Sequence, residues 1–170
     1  MIYEGILSGF NGSHNEEHYF VLQQLFGNGS NRHEIVYRRF DDNIVVRTPE
    51  KPTVAKLSKV DPDIELGSQC IVDIIGNPLD NQGKPITDAS CIRKWIELHG
   101  KNRYGFDVIE LSHEIIAPMK VTPTNGSPFY VHRVKIMALV KVTDVPRFMT
   151  AYEHGIGGSR CYGCGMVMLR

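Results

Sequence analysis

The fifteen residues from Phe129 to Thr143 form an almost unbroken β-prone run. A strand of that length reaches about 50 Å and has to be paired along much of its course. Val131, Arg133 and Lys135 alternate along it, and Ile136–Val140 then reads as a buried stretch. Asp144 follows at once and predicts the N-cap of a short helix ending at His154, with Pro146 in the first turn where proline is favoured. A glycine-rich segment and a last apolar strand, Met166–Leu169, close the chain. The C-terminal third is therefore read as strand, helix, strand.

The rest of the chain reads in the same mixed way. Tyr3–Phe10 predicts a first strand, and Asn11–Asn15 supplies helix-cap chemistry. Glu16–Phe26 predicts a helix with Tyr19, Leu22 and Phe26 on one stripe and acids in its first turn, stopped by Gly27-Asn28-Gly29. Glu34–Phe40 and Ile44–Thr48 flank Asp41-Asp42-Asn43 as a hairpin, Pro49–Asp63 reads as loop, and Gln69–Ile75 as a further strand. Asn81–Pro85 is a turn, Asp88 caps a helix carrying Ile92, Trp95, Ile96 and His99, and Phe106–Leu111 is a strand. This order fits an α+β fold of two successive small β/α/β/β units better than a parallel array. The boundary is placed near Pro78–Pro85, dividing the chain into residues 1–80 and 81–170.

Composition narrows the class. In a chain of 170 residues, 42% hydrophobic and 22% charged residues exclude intrinsic disorder. Ile136–Val140, the longest apolar run, is too short to cross a bilayer, so no membrane partner is expected. Met1–Leu7 carries an early acid and no basic region, unlike a signal peptide, and four cysteines are too few for a disulfide framework. A cytoplasmic protein is the expectation. The net charge of zero argues against a uniformly cationic nucleic-acid binder. It conceals −4 over residues 1–110 and +4 over residues 111–170, so the basic third could face an anion while the remainder is solvated.

The segment His154-Gly-Ile-Gly-Gly-Ser-Arg-Cys-Tyr-Gly-Cys-Gly165 holds five glycines within residues 155–165. Glycines let backbone N–H groups converge on an anion, and Arg160 adds a forked charge suited to phosphate. A helix C-cap at Gly155 with a bulged strand entry accounts for the same residues. The loop is neither a Walker A loop nor a dinucleotide fingerprint. Cys161 and Cys164 have CxxC spacing, but Cys70 and Cys91 form no second pair for zinc, and no helix follows for redox chemistry. Small buried residues on opposite strand faces are the simpler reading. His14 and His18 share one helix face if the helix starts early, and a histidine beside an RNA phosphate can act as acid or base. A solvated helix start explains them equally. His33, His99, His113 and His132 have no partner legible in sequence.

Val142-Thr-Asp-Val-Pro-Arg-Phe148 and His154–Leu169 resemble the C-terminus of the CasE family, the type I-E CRISPR-associated endoribonucleases of the repeat-associated (RAMP) superfamily. Gly76-Asn-Pro78, Gly83-Lys84, Trp95-Ile-Glu-Leu98 and Gly105-Phe106 are similar to the family's Asn-Pro, Gly-Lys, Trp-Leu and Gly-Phe positions in the same order. The resemblance implies two tandem ferredoxin-like domains that bind the stem-loop of a CRISPR repeat and cut at its 3′ base. It implies attack by a 2′-hydroxyl to give a 2′,3′-cyclic phosphate, with no metal or other cofactor, and retention beside other subunits of a type I surveillance complex. It places a catalytic histidine on the first helix with a tyrosine and basic residues as helpers.

Aligned without gaps on Leu22 and Phe26, the histidine position falls on Tyr19, and a shift of one residue restores His18. On that basis His18 is the candidate acid/base, Tyr19 its helper, Arg160 the phosphate-stabilising charge and His14 the reserve. Gly155, Gly157, Gly158, Ser159 and Arg160 are candidates for RNA contact in the loop, and Arg133, Lys135, Lys141 and Arg147 for contact with the phosphates of a stem. The alternatives are a non-catalytic repeat-RNA-binding subunit, a phage-encoded mimic that interferes with complex assembly, or an unrelated ferredoxin-like domain.

Overall fold

In the computed structural model, which describes residues 1–27 and 32–170, the chain forms two four-stranded antiparallel sheets. The first contains β1 (Ile2–Leu7), β2 (Val36–Phe40), β3 (Asn43–Thr48) and β4 (Ser58–Val60), in the order β2-β3-β1-β4. The second contains β5 (Gln69–Gly76), β6 (Phe106–Val121), β7 (Phe129–Val142) and β8 (Met168–Leu169), in the order β6-β7-β5-β8. Each sheet thus has its own strands in the same relative order, the pattern of tandem ferredoxin-like units. Helix α1 (His14–Phe26) belongs to the first unit, and α2 (Ala89–His99) and α3 (Val145–His154) to the second. Among the described residues no helix is long and apolar enough to cross a membrane.

Sheet membership changes between Val60 and Gln69, not at Pro78–Pro85. The turn at 80–84, where Gly83 donates to the Asp80 carbonyl, lies inside the second unit between β5 and α2. A boundary at that turn puts β5 with the first half, yet the hydrogen bonds of β5 run to β7 and β8. The stretch Pro49–Asp63 is not all loop: Ser58–Val60 pairs with Glu4–Ile2 at the sheet edge, a strand too short to show a pattern. The first unit has no second helix among the described residues. In its place Thr53, Val54 and Ala55 donate their amides to the Leu25 and Gln24 carbonyls at the end of α1.

Local chemistry explains the helices. Ser13 sits before α1 in extended conformation, and its amide and hydroxyl both donate to the Glu16 carboxylate, at 2.7 and 2.8 Å. Gly27 ends α1 at φ 71°; Asn28 and Gly29, expected to share that role, lie outside the described residues. Asp88 and Asp144 cap α2 and α3 through the amides of Cys91 and Arg147, as their sequence positions predict.

β6 runs on well past Leu111 to Val121 and pairs with β7 throughout. Its polar middle and Pro118 disguise the strand, and the proline is accommodated in the register shift between Ile116 and Met119. β7 alternates to its end. Val134, Ile136, Ala138, Val140 and Val142 face α2 and α3, whereas Met137 in the middle of the apolar run is 36% exposed on the other face.

The two units are tied by arginines on the face of the first sheet opposite α1. Arg47 is 2% exposed. Its Nε donates to Glu4 at 2.7 Å, and its Nη1 donates to the carbonyls of Tyr152 and Val167 at 2.6 and 2.9 Å. Its guanidinium lies 3.5 Å from the centre of the Tyr152 ring. Arg38 donates to buried Asp73 of β5 at 2.7 Å, and Arg170 holds the other Asp73 oxygen at 2.8 Å. These two arginines hold Asp73 below the usual carboxylate range although burial alone would raise it. Arg47→Ala leaves two buried carbonyls and a carboxylate without their cation and is expected to cost about 3–5 kcal/mol, read as a lower urea midpoint. Arg47→Lys is expected to recover only part of this, because one ammonium cannot reproduce the planar fork.

Candidate active site between the two units

The tie at Arg47 brings the end of α3 and the loop after it against β2 and α1. Tyr37 of β2 is fully buried, and its hydroxyl donates to the Cys161 carbonyl at 2.7 Å, fixing the loop from below. The resulting open cavity of about 250 Å³ is lined by His18 of α1, by His33, Glu34, Ile35, Val36 and Pro49 of the first unit, and by Glu153, His154, Arg160 and Cys161 of the second.

His18 and Arg160, candidates from opposite ends of the sequence, therefore share one cavity. The His18 ring lies 6.3 Å from that of Tyr37, and its Nδ1 is buried without a partner among the described residues. Burial holds its pKa below the ordinary 6.5, so the imidazole is neutral at neutral pH. Arg160 opens a short 3₁₀ turn, Arg160–Tyr162, and its Nη1 donates to the His154 carbonyl at 2.8 Å, at the C-terminal end of α3.

Tyr19 is not on the buried stripe with Leu22 and Phe26. It is 56% exposed and lines a separate groove with Phe10, Asn15, Glu16, Phe20 and Gln23. Adjacent helix residues point about 100° apart, so burying Val21, Leu22, Leu25 and Phe26 turns His18 toward the cavity and Tyr19 away from it. His14 does not line the cavity either. Its Nδ1 lies 2.6 Å from the buried carboxylate of Glu17, which also accepts from Arg39 at 3.1 Å.

The glycine loop is held at its neck by backbone contact. Ile156 donates to the Gly165 carbonyl, and a Cβ on Gly165 would stand 2.3 Å from the Ile156 oxygen. A Cβ on Gly155 would meet the Gly165 oxygen in the same way, at 2.9 Å. Gly157 donates to the Tyr104 hydroxyl, and Ser159 accepts from Asn77 at 2.7 Å. The bend reading of these glycines is thus correct for the neck. The tip is different: a Cβ on Gly158 would meet nothing within 4 Å, and the amides of Gly158, Ser159 and Arg160 have no acceptor among the described residues.

The stem candidates do not form one patch. Lys135 and Lys141 stand on the β7 face turned away from the helices, and Arg133 shares that face but donates to the Ala117 carbonyl at 2.9 Å. Arg147 is at the far end of α3, on the other side of the sheet, paired with Asp144 at 3.3 Å. Cys161 and Cys164 lie before β8 and not in a strand. Cys161 is exposed, whereas Cys164 packs against Met119, Val121 and Val131, and burial pushes its thiol up to about 12. Among the described residues no group of three or more His, Cys, Asp or Glu is arranged to hold a metal ion. Sequence reasoning missed His33, Glu34 and His154. Their pairings, His33 with Glu50 at 2.7 Å and His154 with Glu34 at 3.0 Å, span segments with no common motif.

A family described as CRISPR associated protein matches residues 86–170, half of the chain. The chain belongs to this family. Its fold is also that of solved members of CRISPR systems. Cas6e from Escherichia coli K-12 superposes with a TM-score of 0.72 at 18% identity, covering 99% of this chain and 98% of that one. The CRISPR endoribonuclease Cse3 bound to a 19-nucleotide RNA gives 0.79 at 16% identity over the whole of both chains. A chain of a CRISPR RNA-guided surveillance complex gives 0.72 at 14% identity over 98% of each. A comparison with curated proteins returns no match.

The loop geometry separates neck from tip. Gly165→Ala is expected to lower the thermal midpoint by several degrees, whereas Gly158→Ala is expected to leave it unchanged, as differential scanning calorimetry would show. In the native protein Cys164 is expected to resist iodoacetamide until denaturant is added, with labelled positions read by mass spectrometry.

Proposed function

We propose that this protein binds the stem-loop of a CRISPR repeat RNA and cleaves it at the 3′ base of the stem without a metal, then stays with the guide RNA in a type I surveillance complex. The observation that carries this reading is the meeting of a desolvated histidine and a loop arginine in one cavity between the two units. Membership of the CRISPR-associated family supports it, as does a fold shared with an RNA-bound endoribonuclease and with a subunit of an RNA-guided complex.

The chemistry follows from the groups present. Neutral His18 takes the proton from a ribose 2′-hydroxyl, and the 2′-oxygen attacks the adjacent phosphorus. Arg160 and the loop-tip amides, which have no acceptor among the described residues, offset the charge that builds on the phosphorane oxygens. Departure of the 5′-oxygen leaves a 2′,3′-cyclic phosphate and a 5′-hydroxyl. Gly158, with open space at its Cα, lets the RNA backbone approach the loop. Lys135 and Lys141 contribute phosphate contacts on the outer face of β7, where an A-form stem is read by shape and charge. Arg133, already bound to Ala117, would have to turn outward to join them.

The test is incubation of the protein with its own genomic repeat RNA in excess EDTA. Cleavage is expected to survive chelation, to be lost by at least about 100-fold in His18→Ala, and to fall about 100–1,000-fold in Arg160→Ala. Binding without cutting by the unmodified protein would show a non-catalytic RNA-binding subunit instead. Failure to bind any repeat hairpin would remove both readings. Because the folded His18 pKa is depressed, the base remains neutral as pH falls through 6.5. The acidic limb of the single-turnover rate is therefore expected below pH 6.5.

A further inference from the structure

The cavity holds more proton-transfer chemistry than His18 and Arg160 require. Two further histidines line it, and each presents Nδ1 to a carboxylate: His33 to Glu50 at 2.7 Å and His154 to Glu34 at 3.0 Å. The pairs are themselves joined, since the Glu34 amide donates to the second Glu50 oxygen at 2.8 Å. A carboxylate on Nδ1 sets the ring's orientation and leaves Nε2 for a ligand. His18 is the opposite case, with a buried Nδ1 that has no partner among the described residues and a ring kept neutral by burial.

Resting on the endoribonuclease reading above, we infer that His154, oriented by Glu34, is the general acid that protonates the departing 5′-oxygen. Cleavage removes one proton at the 2′-oxygen and needs one at the 5′-oxygen. His18 takes the first. The second has few sources in this cavity: the Arg160 guanidinium keeps its protons, and partial desolvation pushes the thiol of Cys161 up. His33 is stacked on Phe26 with ring centres 3.8 Å apart, which fixes it against the end of α1. His154 instead belongs to the phosphate-binding segment. Its own carbonyl receives the Arg160 hydrogen bond at 2.8 Å, so the loop's charge and this imidazole are positioned together. It also stands on the last turn of α3, directly before the loop that carries Arg160.

In the step, the 2′-O–H bond breaks and its proton passes to His18. The 2′-oxygen bonds to phosphorus, the bond from phosphorus to the 5′-oxygen breaks, and that oxygen takes the proton from Nε2 of His154. The enzyme is left with protonated His18 and neutral His154, and exchange with water restores both. Sequence alone could not supply this assignment, because Glu34 and His154 are 120 residues apart.

The experiment compares single-turnover cleavage of the genomic repeat hairpin with cleavage of the same hairpin carrying sulfur in place of the scissile 5′-oxygen. A thiolate leaves without protonation. His154→Ala is expected to cut the oxygen substrate at least about 100-fold more slowly than the unmodified protein and the sulfur substrate within a few-fold of it. His18→Ala is expected to be slow on both. Glu34→Gln is expected to show a smaller defect of the same oxygen-selective kind. Equal losses on the two substrates in His154→Ala, no loss at all, or an oxygen-selective loss in His33→Ala instead would overturn the inference while leaving the endoribonuclease reading intact. His154→Gln, with hairpin affinity as a folding check, is expected to reproduce the oxygen-selective loss, and its absence there would overturn the assignment too. If the unmodified protein cuts neither substrate, the endoribonuclease reading fails and this assignment fails with it.

Discussion

Arg47 is the constraint on which the cavity between the two units depends. A ferredoxin-like sheet carries its helices on one face and leaves the other open. Here that open face holds a buried guanidinium, which could not stay there without acceptors. Its partners are Glu4 beside it and two carbonyls of the second unit, those of Tyr152 at the end of α3 and Val167 just before β8. The glycine-rich loop lies between those two anchors in the chain. Fixing both its ends against the first sheet delivers Arg160 to the helix that carries His18. Arg38, reaching Asp73 of β5, adds a second tie between the two sheets.

The glycines of the loop divide their labour. Gly155 and Gly165 are demanded by the close crossing of two backbone segments at the neck, where a Cβ on either would strike a carbonyl. The neck amides are taken: Gly155 donates to Ala151, Ile156 to Gly165 and Gly165 to Ile75. At the tip, the backbone amides of Gly158, Ser159 and Arg160 have no acceptor among the described residues. Turn geometry, and the open amides that anion binding would need, compete as explanations when the loop is read as text and thus belong to different residues in it.

Much of the fold is legible in the sequence because its signals are local. The cap-bearing stretch Asn11–Asn15, the caps Asp88 and Asp144, the apolar spacing of α2, the alternation of β7 and the turn at Asp41–Asn43 each lie within a few residues and act within that range. β4 and the second half of β6 are not legible. Three residues are too few for a period, and the polar centre of β6 is tolerated only because β7 supplies its partner along the whole length. The position of Tyr19 escapes a sequence reading for a related reason. A stripe of Tyr19, Leu22 and Phe26 is consistent with helical spacing, but the face actually buried is centred on Val21, Leu22 and Leu25, and only the sheet beneath α1 selects it. That selection decides which neighbour, His18 or Tyr19, lines the cavity with Arg160.

From the chain alone came two tandem α+β units, the glycine-rich loop, and His18, Tyr19, Arg160 and His14 as site candidates. These rest on short-range patterns and on a motif, both of which survive without coordinates. Only the tertiary structure decided where one unit ends and the next begins, because strand membership is set by hydrogen bonds to distant partners. It alone placed Tyr19 and Arg147 away from the cavity and gathered His33, Glu34 and His154 around it. Those groups meet because two buried arginines require acceptors across the junction, and a requirement of that kind leaves no trace in local sequence.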